Sequence, residues 1–132
     1  MLRDEMPTDE QLYNYLHASD AYIYWGRVSI DGVGVSSCVN TCLGAGRPVL
    51  VPGYCNFFDL AGKEVIKYGD FEDLEQKLRD VFDDAGYVKE SLLAAERYAV
   101  NNSSEAIAEQ FIELFERLKG KQTPRQRRAK RL

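Results

Sequence analysis

Three short apolar runs, residues 21–25 (AYIYW), 49–51 (VLV) and 64–68 (EVIKY), are each stopped at once by glycine or proline. Runs this short, rich in β-branched and aromatic side chains, read as buried strands and not as helices. Between the first two, Ser36 or Ser37 can cap a helix of two to three turns that Gly44 or Gly46 ends by accepting a left-handed backbone. Strand, helix and strand joined by tight connections favour parallel pairing with right-handed crossovers. The expected fold is therefore α/β, a short parallel three-stranded sheet with flanking helices. A half-turn over residues 56–61 is expected before the third strand, and the glycine-bearing stretch 26–35 reads as a loop.

Helical signals bracket this core. Thr8 and Gln11 form a Thr-x-x-Gln capping box, so a helix is expected from about Asp9, with Leu12, Tyr15 and Leu16 on one face. After Gly69 only helices follow. Asp70 caps residues 71–82, where Phe71, Leu74, Leu78, Val81 and Phe82 make a stripe opposite the charges. A second helix over about 87–100 carries Leu92, Leu93 and Ala95. A third, with Ile107, Phe111, Leu114, Phe115 and Leu118 at helical spacing, follows the Asn-Asn-Ser-Ser signal at 101–104.

With 132 residues, 45% of them hydrophobic, the chain can bury one core and hardly two. No apolar run approaches the roughly 18 residues of a membrane span. The first residues lack the basic start and apolar stretch of a signal peptide, and three cysteines cannot all pair, which suggests a reducing cytoplasm. The net charge of -4 hides two blocks. Seven of the 17 Lys and Arg lie in residues 119–132 with no acid among them, leaving ten against all 21 acids in residues 1–118, a balance of -11. The tail is expected to be disordered, with weak anionic membrane contact as its functional reading and RNA binding as a lesser one.

The stretch 31–46, DGVGVSSCVNTCLGAG, holds the densest chemistry. A glycine-rich turn after a strand admits close backbone approach, and a helix start offers free amides with partial positive charge. Gly32, Gly34, Val35, Ser36 and Ser37 would then form an anion site at the carboxyl ends of parallel strands; the alternative is that they only cap the helix and close the turn. The stretch lacks the lysine of a P-loop and the third glycine of a dinucleotide fingerprint, which disfavours ATP hydrolysis and nicotinamide chemistry.

Other groups read as structural. Cys38 and Cys42 share a helix face but have no second ligand pair, so they and Cys55 are expected to be buried free thiols, with no metal. The lone His17 is expected to cap or pack at a helix end, and no Ser-His-Asp arrangement is placed around it. Asp20 and Asp31 could accept paired hydrogen bonds from a diol, although turn carboxylates are common. Tyr22, Tyr24 and Trp25 read as sheet core. Arg27 and Arg47 flank the loop and could meet phosphate, or Arg47 could cap its own helix.

The run HASDAYIYW, the glycine loop, SSCVNTCLGAGRPVLVPG and VIKYGDFEDLEQKLRDVFDD together resemble the C-terminal, donor-binding half of GT-B-fold glycosyltransferases of the group 1, family 4-like type. Residues 43–50 (LGAGRPVL) and 68–78 match most closely, and the element order agrees from Thr8 to Leu118. The resemblance implies a partial Rossmann-like domain over 1–118 that binds a nucleotide-sugar donor, with the diphosphate on the amides near Gly34 to Ser37. It implies hexosyl transfer, no metal and no separate cofactor. Aligned on Pro48, Val33 and Thr41, with Asn40 adjacent, stand where relatives carry paired glutamates, so Asn40 and Thr41 join the candidate donor contacts.

The family's opening strand-helix-strand-helix unit has no counterpart in this stretch. Transfer by this chain alone is therefore not expected, and a missing N-terminal portion or self-association would cover an exposed sheet edge. The alternative is a non-catalytic α/β interaction module derived from such an enzyme. A receiver-type regulatory domain is disfavoured because no acidic cluster ends the first strand.

Overall fold

The computed structural model describes residues 7–25, 33–57, 59–60 and 62–120. The chain forms two compact units, residues 1–99 and 100–132. The first is α/β as expected. It opens with α1 (Asp9–Ala18), whose start is fixed by the Thr8 and Gln11 box: each side chain accepts a bond from the other's backbone amide, at 3.3 and 3.2 Å. It continues through β1 (Tyr22–Ile23), β2 (Val33–Gly34), α2 (Ser37–Gly44), β3 (Val49–Pro52), β4 (Asn56–Phe57), β5 (Ile66–Tyr68), α3 (Phe71–Phe82) and α4 (Gly86–Asn101).

The main sheet is parallel in the order β1-β3-β5, with Tyr22 opposite Val49 and Leu50 opposite Ile66. β3 lies at its centre and is buried throughout, which is why its sequence is continuously apolar. Alternation along it supplies two cores. Val49 and Val51 face Val39, Cys42 and Leu43 of α2, together with Leu16 of α1. Leu50 faces Leu74 and Val81 of α3, with Ile66 and Tyr68 beside it. α4 contributes to both, Val88 to the second core and Ala95 to the first.

Several local expectations are corrected. Residues 56–57 are not a half-turn but a strand, paired in parallel with 33–34 inside the expected loop; a two-residue ladder is too short to leave any periodicity in sequence. The third strand starts at Ile66, because Glu64 turns back and accepts the Gly62 amide at 2.8 Å. Phe71 and Phe82 lie at the two ends of α3, past the sheet that covers Leu74 and Val81, and are 72% and 69% exposed. On α4 the inward face is Val88, Ser91, Ala94 and Ala95, leaving Leu93 exposed. Cys38 is exposed while Cys42 and Cys55 are buried, because Cys38 lies in the first turn of α2, ahead of its packed face. Of the two candidate left-handed glycines, Gly46 adopts φ +67° and Gly44 stays helical.

The second unit is α5 (Ser104–Gly120), started by the Ser103 hydroxyl, which accepts the Ala106 amide at 3.2 Å. Its Phe111 and Phe115 rings stack at 6.3 Å, and Phe111, Leu114, Phe115 and Leu118 are all exposed. Lys119, read as the start of the tail, belongs to this helix. The rest of the expected tail, residues 121–132, lies outside the described residues.

Candidate functional site

The carboxyl ends of β1, β3 and β5 converge on one pocket of about 230 Å³. Each strand delivers a side chain as it leaves the sheet: Trp25 follows β1, Pro52 and Tyr54 end β3, and Tyr68 ends β5, with Asp70 and Phe71 opening α3. Gly53 permits this closeness. Its amide donates to the Tyr68 carbonyl at 2.7 Å, and a Cβ there would sit 3.3 Å from the same oxygen.

The pocket is aromatic. Trp25, expected in the sheet core, is 64% exposed because the chain has already left β1, and its indole meets Phe71 with centroids 5.4 Å apart. Tyr54 is also exposed. The Tyr68 hydroxyl donates to the Tyr24 carbonyl at 3.2 Å, and burial, then Tyr54, raises its pKa and holds it protonated. The start of α3 is already occupied by carboxylates: Asp70 accepts the Asp73 amide and Asp73 accepts the Gly69 amide, both at 2.9 Å. The positive end of that helix is thereby neutralised. This cavity suits an uncharged planar ring, not a phosphate.

α2 begins at the same end of the sheet. Its last residue lies five positions before β3, and an eight-residue helix, about 12 Å long, matches a four-residue strand of about 13 Å, so its first turn returns to the level of the strands' carboxyl ends. Contacts link the two places. Gly34 pairs with Phe57, whose ring stands edge-on to Tyr24, the residue held by Tyr68. The first turn of α2 contains no acid, in contrast to α3.

Within that turn the Ser36 hydroxyl accepts the Val39 amide at 3.3 Å and the Ser36 carbonyl accepts Asn40 at 3.0 Å. Ser37 is exposed, its carbonyl taken by the Thr41 hydroxyl at 2.8 Å. Gly34 and Val35 lead into the turn, Val35 being exposed. Asn40 is turned inward to Asp59, its Nδ2 donating at 3.1 Å. Gly34, Val35, Ser36 and Ser37 are thus brought together, whereas Thr41 bonds its own helix and Asn40 bonds Asp59. Gly32, Asp31 and Arg27 lie outside the described residues.

Asp59 carried no signal in sequence beyond an acid in a turn. Its Oδ2 accepts both Asn40 and the Tyr98 hydroxyl, the latter at 3.3 Å, while Oδ1 is buried with no partner among the described residues. Burial, then this carboxylate, raises the Tyr98 pKa. A buried, unused carboxylate oxygen is an acceptor awaiting a donor. The Arg47 guanidinium donates to the His17 carbonyl at 2.6 Å and ties α1 to the strand that follows. His17 is exposed, and Asp20 is exposed at the bend before β1. Among the described residues no three His, Cys, Asp or Glu side chains are grouped as a metal site requires.

No family model, curated protein or solved structure matches this chain.

Proposed function

We propose that the chain is part of the donor-binding domain of a glycosyltransferase and binds a nucleotide-sugar. The observation that carries this reading is the pairing, at one end of a parallel sheet, of an aromatic pocket with a helix start free of acids. The base or the sugar ring would stack on Trp25 and Phe71. The diphosphate would rest on the amides of Ser37 and Cys38, with the exposed Ser37 hydroxyl as a further donor. In hexosyl transfer those donors would stabilise the charge that develops on the departing diphosphate.

Trp25 is the chain's sole tryptophan, so its fluorescence reports on the pocket directly. Titration with UDP-, GDP- and ADP-sugars should quench or shift the emission for one of them. Phe71→Ala should abolish the response, and Ser36→Ala with Ser37→Ala should weaken binding about tenfold, the worth of one hydrogen bond to a charged group. No response to any of the three donors would end the proposal.

A second reading, an interaction module, is favoured by the free side of β1. That strand pairs only with β3 among the described residues, and Ile23 on it, with Leu12, Tyr13 and Tyr15 of α1, is exposed. Pairing of two copies through β1 would cover this edge. Light scattering that gives a monomer mass at all concentrations would reject it.

A further inference from the structure

A second pocket, of about 270 Å³, lies between β5 and the start of α4, away from the strands' carboxyl ends. Lys63, Lys67 and Lys77 line it, three of the ten basic residues in a 118-residue body that carries a balance of -11. Among the described residues Glu90 is the one acid in its wall. Such local concentration against the overall charge is costly unless something anionic offsets it.

The lysines are loosely engaged. Lys67 donates to Asn56 at 3.1 Å; Lys77 stands 3.9 Å from Asp73 and 4.8 Å over the Tyr87 ring. Lys63 makes no hydrogen bond or ion pair among the described residues. The Tyr87 hydroxyl donates to Asp80 at 2.7 Å, which commits that donor and holds an ionised carboxylate near Lys77.

Two further donors come from the backbone plan. β5 is an edge strand, and its register turns the Tyr68 carbonyl toward Gly53 on β3; by alternation the Lys67 amide faces the open side. The first turns of α4 face β5 across the pocket, with Val88 in one core and Ala95 in the other. Ser91, between them, is only 5% exposed and lines the pocket. A hydroxyl in the pocket wall and an outward-facing edge amide are thus both available as donors in a gap bordered by ammonium groups.

We infer that this pocket binds a phosphate group, either as the free ion or as a phosphomonoester, with Ser91 and the Lys67 amide as fixed donors and Lys63 and Lys77 as its countercharges. The volume falls below the roughly 300–1,000 Å³ of drug-sized sites, which limits the ligand to a phosphate and a small attached group. This site is independent of the nucleotide-sugar reading.

The test is calorimetric titration of the full chain with inorganic phosphate and, in a second arm, glucose 6-phosphate, at ionic strength held constant with chloride. Phosphate-specific binding is expected, at least about tenfold weaker in Lys63→Gln and in Ser91→Ala. Tighter binding of the ester identifies a phosphorylated metabolite as the ligand; equal or weaker binding identifies the free ion. Circular dichroism melting of each variant confirms that it is folded. Absence of binding beyond that of chloride, or equal affinity in Lys63→Gln and the unaltered chain, overturns the inference. Loss of phosphate binding in the Ser36 and Ser37 variant alone would assign the anion to α2 instead.

Discussion

The Tyr68 hydroxyl reaches across the central strand to the Tyr24 carbonyl, joining the two edge strands of a three-stranded sheet at the floor of the aromatic pocket. β1 is only two residues long and among the described residues pairs with β3 alone, so this bond helps to hold the following Trp25 in place. Tyr68→Phe keeps the ring and removes the bond. A loss of about 1 kcal/mol in denaturant unfolding is expected, together with a shifted Trp25 emission as the indole loses its fixed position.

Packing and site are separable by substitution. Leu50→Ala, at a fully buried position of the central strand, should cost about 2–5 kcal/mol. Phe71→Ala, largely exposed, should cost under about 1 kcal/mol while removing the ring that faces Trp25. Urea unfolding followed by far-UV circular dichroism distinguishes them.

The thiols should differ in reactivity. Burial, then the neighbouring Cys38, pushes the Cys42 pKa from 9.0 to about 11, whereas Cys38 is exposed. Iodoacetamide at pH 8 should label Cys38 in the native chain, and Cys42 and Cys55 only after unfolding, as peptide mass mapping would read. The same shift has a stability consequence. Between pH 9 and 11 the unfolded chain loses the Cys42 proton and the native one keeps it, so stability is fully present below pH 9 and declines above it. Tyr22, raised by burial and then by Cys42, acts in the same direction. A Tm that held constant from pH 8 to 11 would contradict both.

The two ends of α2 give a further check. Ser36→Ala removes the acceptor for the Val39 amide and should cost about 1 kcal/mol. Gly46→Ala forces an L side chain to φ +67° with open space around it, so its cost, about 1–2 kcal/mol, is backbone strain alone. Thermal unfolding of the two variants measures each.

The strand-helix-strand order, the Thr8, Ser36 and Asp70 caps and the parallel sheet were legible because caps and apolar runs are local. The β2 and β4 pairing was not, since it joins residues more than twenty apart through a single two-residue ladder. The site was half legible. Glycine, Ser36 and Ser37 announced the start of α2, but the pocket beside it is built from Trp25, Tyr54 and Phe71, which share no spacing and meet only because parallel strands end together. Periodicity placed Phe71 in a core stripe, and only the sheet's finite length releases it to the surface. Asp59 needed the fold to bring Asn40 and Tyr98 to it.

The sheet order has a consequence for assembly. Among the described residues α4 faces β5 across the second pocket, while β1 pairs with β3 and leaves its other side unpaired. Pairing of two copies through β1, as proposed above, would consume one such edge on each copy and stop at a pair instead of propagating into a filament.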